Sequence, residues 1–136
     1  GVARNLACID DYAFLLWARL ELQTVSPSDE NLSRAIKLAD EMLRLFWDET
    51  SSGFYFTGSD AEALPVRMRE WVDAAIPSGN SVAARMLCRL SVMSQSPRYR
   101  AISRMMLEKM AGELTRSPLA YSFLLSACDE YFSTVD

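Results

Sequence analysis

The sequence predicts an all-α fold of helical hairpins with one short β-strand or hairpin inserted. Three observations carry this. Apolar residues recur at spacings of three and four through most of the chain. Ser26-Pro27, Ser96-Pro97 and Ser117-Pro118 are helix-start signals, with proline early in the first turn. Only the segment 48–77 abandons the helical period. The reading places helices at about 10–25, 28–47, 79–94, 97–115 and 118–132, all in one domain spanning 1–136.

The first helix opens on Asp10 and Asp11, whose carboxylates suit free N–H groups and the positive end of the dipole. Phe14, Leu15, Leu16, Trp17, Leu20 and Leu22 leave it almost no polar side, so it reads as buried nearly all round. The second helix alternates Leu32, Ala35, Ile36, Ala39, Met42, Leu43 and Phe46 with Arg34, Lys37, Glu41 and Arg44. That amphipathic stripe marks an outer helix. Gly53-Phe54-Tyr55-Phe56-Thr57-Gly58 is aromatic, β-branched and bounded by glycine, which predicts a strand, half of a hairpin. Residues 65–72 read as an extended or partly helical return. A connection this long in a small domain is functional or packed on its own side chains. Pro77-Ser78-Gly79-Asn80-Ser81 launches the third helix, and the two remaining Ser-Pro signals launch the fourth and fifth.

Arg19-Leu20-x5-Ser26-Pro27 recurs as Arg89-Leu90-x5-Ser96-Pro97. Each copy ends a buried helix, turns and begins an amphipathic one. Hairpins repeated in this way stack into a solenoid or close into a ring, and the long insertion fits a ring better.

Composition excludes several functions. Asp and Glu outnumber Lys and Arg by 18 to 14, a net charge of −4. Neither nucleic acid nor an anionic membrane surface is an expected partner, because both call for a basic face. The uncharged runs 50–59, 74–84 and 117–128 are too short for a membrane span. No leader pattern is visible, and the start at Gly1 reads as an internal boundary. Cys8, Cys88 and Cys128 are odd in number and form no C-x-x-C pair, so reduced thiols and a cytoplasmic location are expected. Histidine is absent. Any acid–base chemistry falls to carboxylates, Tyr, Arg or Lys, and neither a metal site nor a cofactor is expected.

Helices joined by short turns run antiparallel, so the first, third and fifth should share a direction. Their starts would gather Asp10, Asp11 and Tyr12 with Ser78, Gly79, Asn80 and Ser81, and with Ser117, Pro118 and Tyr121, on one face. The segment 48–77 must reach the same face. A pocket belongs there.

Five ordered blocks, Asp11-Tyr12-Ala13-Phe14-Leu15, Phe46-Trp47-Asp48-Glu49, Gly53 through Asp60, Val66-Arg67 and Pro77 through Ala83, resemble the signatures of the YyaL-type family, which includes the spermatogenesis-associated thioredoxin-like proteins. Asp73-Ala74-Ala75 departs from that pattern, in which Gly or Asn follows the Asp. The resemblance implies the last part of an α/α toroid like those of N-acylglucosamine 2-epimerases and six-hairpin glycosidases. It further implies an N-terminal thioredoxin-like domain and more hairpins as partners outside this chain. Redox activity carries over to no residue here.

The resulting expectation is a cleft for a small polar or sugar-like ligand. Asp11 and Asp73 are the candidate catalytic carboxylates. Tyr12, Tyr55, Arg67, Trp71, Ser78 and Asn80 are the candidate binding residues. The competing expectation is a non-catalytic interaction or scaffold module, in which the same residues cap helices and tie down the long loop.

Overall fold

The computed structural model describes residues 6–63 and 65–134; the opening at Gly1 lies outside them. Five helices carry the chain: α1 (Ile9–Val25), α2 (Asp29–Phe46), α3 (Gly79–Met93), α4 (Pro97–Arg116) and α5 (Ser122–Ser133). A small antiparallel hairpin joins β1 (Trp47–Asp48) to β2 (Gly53–Phe54), pairing Trp47 with Phe54 and Asp48 with Gly53. The fold is mostly α with a short β hairpin.

The boundaries differ from the sequence reading in ways that have local causes. α2 starts at Asp29 because the Ser28 hydroxyl accepts the Asn31 N–H at 3.1 Å, so Ser28 and not Ser26 is the cap. α2 ends at Phe46 because Trp47 turns extended to pair with Phe54. Pro118–Tyr121 forms a separate 3-10 turn before α5. Segment 65–72 is extended and contains no helix. The predicted strand is short: beyond Phe54 it leaves the hairpin, and Thr57 bridges instead to Cys8, just ahead of α1.

Three helices form an inner layer. α3 lies between α1 and α5, and α2 and α4 cover the outside, packing chiefly on α1 and α3. The direction of the inner helices follows from cross-helix pairs. The α1 start meets the α3 start where Asp10 faces Gly79, and their later turns meet through Arg89 and Glu21. The sequence separation hardly changes between the two, so α1 and α3 are parallel. α3 and α5 are joined by Arg85–Glu130 at 3.1 Å and Cys88–Thr134 at 3.7 Å, again at nearly constant separation. All three inner helices therefore start on the same face, as expected.

Burial is distributed differently from the sequence reading. α3 is the helix surrounded on all sides: Val82, Ala83, Ala84, Met86, Leu87, Cys88 and Leu90 are wholly inaccessible. α1 buries Ile9, Ala13, Leu16 and Leu20 but leaves Leu15 and Leu22 nearly half exposed. A helix with an inner neighbour on one side only cannot bury an all-round apolar surface.

The close approach of α1 and α3 depends on a missing side chain. A Cβ at Gly79 would collide with the Asp10 carboxylate and stand 3.2 Å from the Asp10 backbone nitrogen. Gly79→Ala should therefore cost about 1–3 kcal/mol through overpacking. Gly112, exposed toward the C-terminal end of α4, meets nothing within 4 Å. Gly112→Ala should add about 0.5–1 kcal/mol through the lower entropy of the unfolded chain. Urea midpoints of the two variants should move in opposite directions.

Candidate functional site

The face where α1, α3 and α5 begin collects most of the residues singled out in the sequence, and the structure shows what each one touches. Asp11 stands at the third position of α1. Its carboxylate accepts the Cys8 backbone N–H at 2.8 Å and the Cys8 thiol at 3.3 Å. This is the reciprocal contact of a capping box. The helix begins one residue earlier than the sequence reading placed it, which moves Asp11 into the capping position.

Asp73 joins two helix starts. One carboxylate oxygen accepts the Ser78 N–H at 2.9 Å, and the other accepts Phe123 N–H at 2.9 Å and Leu124 N–H at 3.3 Å. Ser78 is the N-cap of α3: its hydroxyl accepts the Ser81 N–H and bonds the Ser81 hydroxyl at 2.9 Å. Asn80 is buried. Its carbonyl accepts the Phe54 N–H at 2.8 Å, and its amide donates to the Phe54 carbonyl at 3.0 Å and the Glu70 carbonyl at 2.8 Å. All three of those bonds hold the hairpin and the long loop against α3.

The aromatic and basic candidates form the other half of this clamp. The guanidinium groups of Arg67 and Arg69 lie 3.9 Å and 4.0 Å from the centroid of the Tyr55 ring. Arg67 also donates to the Thr57 carbonyl at 2.5 Å and the Leu45 carbonyl at 3.3 Å. Arg69 is paired with Asp48. Trp71 packs on Gly53, where a Cβ would stand 2.7 Å from the indole. Tyr12 meets Phe46 edge-on at 5.2 Å. Tyr121 packs on the core beside α5.

Asp48 also ties down the loop, accepting the Thr50 N–H at 3.1 Å and the Ser51 hydroxyl at 2.7 Å. The Ser51 hydroxyl holds its carboxyl down from the usual 3.8 to about 2, with Tyr55, Arg69 and the Thr50 N–H adding to the effect against partial desolvation. A carboxyl depressed in the folded state contributes stability that is present above its unfolded value and lost as pH falls toward the folded one. Asp48→Asn should flatten the acid limb of the thermal-stability profile between about pH 4 and pH 2, with little difference from wild type in the pH dependence above about pH 5.

Two further carboxylates, Asp10 and Glu70, stand at this face. Asp10, one position ahead of Asp11, is half-buried and lies against the Gly79 N–H. Burial pushes its carboxyl up, the Gly79 N–H counters, and the charges of Glu70 and Asp11 raise it further. Glu70 itself is exposed, between Arg69 and Trp71 on the extended loop. Asp11 and Asp73, the carboxylates expected to be catalytic, are both bonded to helix-start N–H groups, while Asp10 lies near enough to Glu70 for that charge to raise its carboxyl. The signal that separates Asp10 from Asp11 was the capping-box spacing from Cys8, legible once the helix start is put at Ile9. Among the described residues, no group of three His, Cys, Asp or Glu side chains could hold a metal, and no helix is long and apolar enough to cross a membrane. The three cysteines are free thiols.

No family model matches the chain. It is 37% identical over 83 residues to spermatogenesis-associated protein 20 of Homo sapiens, covering 60% of this chain and 11% of that protein. The likeness to the Mus musculus protein of the same name is also 37% over 83 residues. An uncharacterized Caenorhabditis elegans protein is 32% identical over 111 residues, covering 82% of this chain and 15% of its own length. The chain thus spans between a tenth and a sixth of the curated relatives it matches. These likenesses support the spermatogenesis-associated resemblance read from the sequence blocks.

Proposed function

We propose that this chain is a structural sector of an α/α toroid of the YyaL and spermatogenesis-associated type, serving as scaffold for the longer polypeptide and its thioredoxin-like domain. The observation that carries this reading is the engagement of the polar candidates within the chain. Asp11, Arg67, Asp73, Ser78 and Asn80 each bond backbone or side-chain groups of this same chain. Together they lock the loop and hairpin onto three parallel helix starts. Groups so placed stabilise a wall; apart from the buried, unpartnered Nε of Arg67, they have little bonding capacity left to offer a substrate.

A second reading is favoured by Asp10 and Glu70. They are two acids on the face where the inner helices begin, Asp10 against the Gly79 N–H and Glu70 exposed on the loop, where a sugar-like metabolite would be bound in the complete toroid. A half-buried acid with a raised pKa beside a second acid suits general acid–base work or hydroxyl binding.

Thermal-shift measurements on the full-length protein with a panel of sugars and sugar phosphates separate the two. The scaffold reading expects no ligand shift, with Asn80→Ala and Asp73→Ala lowering the melting temperature alike with or without ligand. A shift that vanishes in both Asp10→Asn and Glu70→Gln would replace the scaffold reading with the metabolite cleft. The same series carries a pH prediction. A carboxyl raised in the folded state contributes full stability below its unfolded pKa and loses it as pH rises through the folded value. Asp10→Asn should therefore melt higher than wild type at pH 7 and converge with it at about pH 3.

A further inference from the structure

We propose that the groove between α4 and α5 is the seat of an amphipathic α-helix from the same polypeptide, outside these residues. This rests on the sector reading above. The groove has a volume of about 630 Å³. Leu107, Ala111 and Leu114 form one wall, and Leu125, Cys128 and Phe132 the other. Each set is spaced by three or four residues, so each wall is a ridge running along its helix. Two such ridges flanking a trough accept the ridge of a third helix. The Arg104–Glu108 ion pair, at 2.7 Å, lies at the rim and suits a helix whose outer side is polar.

α5 supplies the second argument. Phe123, Leu124, Leu125, Ala127, Cys128, Tyr131 and Phe132 cover all of its surface but the stripe of Ser122, Ser126, Asp129, Glu130 and Ser133, yet only Leu124 and Ala127 are buried. Leu125 is 40% and Phe132 70% exposed. An apolar surface that wide calls for neighbours on more than one side. The internal repeat says what completes it. α1 is covered from outside by α2, and α3 by α4, each outer helix packing on the inner helix that precedes it. α5 is the one inner helix among the described residues with no outer helix of its own, and the groove lies on it beside α4. The curated relatives are far longer than this chain, so they hold ample sequence to supply such a helix.

Cys128 reports on the α5 wall of the groove. Its alkylation by N-ethylmaleimide would be followed by mass spectrometry in the 136-residue chain and in the full-length protein, each compared with its own guanidinium-unfolded rate. The expected result is labelling at least about tenfold slower in the full-length protein than in the short chain. The double variant Leu125→Glu/Phe132→Glu should restore labelling in the full-length protein. Equal protection in both forms, or protection in the short chain that grows with its concentration and so indicates a second copy, would overturn the assignment. Amide exchange of α1 and α3 distinguishes the two levels. If those helices exchange more slowly in the full-length protein while Cys128 stays open, the groove assignment fails and the sector reading stands. If neither is protected, both fall. The full-length arm stands alone should the short chain prove unstable: native labelling of Cys128 at the unfolded rate overturns the proposal there.

Discussion

Asn80→Ala should lower the unfolding free energy by about 3–5 kcal/mol, measured by urea denaturation with an unchanged m-value. The size follows from what the truncation leaves behind. Phe54 is wholly inaccessible, and Asn80 satisfies both its backbone N–H and its carbonyl. Removing the amide orphans a buried donor and a buried acceptor, each costing about 1–3 kcal/mol, and also releases the Glu70 carbonyl. Asn80→Asp should do no better. It keeps an acceptor for the Phe54 N–H but turns a carboxylate oxygen toward two carbonyls. A cost below about 1 kcal/mol would show that the hairpin is not held by this side chain, and would remove the main support of the scaffold reading.

Asp73→Ala should cost about 2–3 kcal/mol, and its signature should be local. Three backbone N–H groups at the starts of α3 and α5 lose their acceptor at once. Amide exchange at Phe123 and Leu124 should speed up well before the α3 interior is affected. Asp73→Asn retains one good acceptor and should cost about half as much. If exchange accelerates uniformly across the molecule instead, Asp73 acts on global stability and not as a strap between two helix starts. The loop departure at Asp73-Ala74-Ala75 then has a plain consequence: the carboxylate performs its anchoring with alanines behind it, the Ala74 N–H being satisfied by the Ile76 carbonyl.

Much of the fold was legible in local chemistry. The three-and-four spacing of the second helix and the Ser-Pro signal at Ser96 located α2 and α4 to within a residue or two, because periodicity and capping act over a single turn. The shared direction of α1, α3 and α5 followed from short connections. The β hairpin was half legible: Gly53 through Thr57 has strand chemistry, but its partner Trp47–Asp48 looks like the end of a helix until Phe54 is there to pair with it.

The candidate site shows the opposite case. Residue types and order along the chain brought Asp11, Asp73, Ser78 and Asn80 to one face, and that much is visible in one dimension. Whether a carboxylate or an amide there meets a ligand or its own backbone depends on a register of one residue. Cys8 as the cap of α1 commits Asp11 to the helix and turns Asp10 toward Gly79. Likewise the apolar content of α1 and α5 was plain in the sequence, whereas their exposure was decided by how many neighbours the tertiary structure supplies. Helix formation and capping are short-range and so are encoded locally. Hydrogen-bond saturation and burial are properties of what else arrives in space, and only the folded chain determines them.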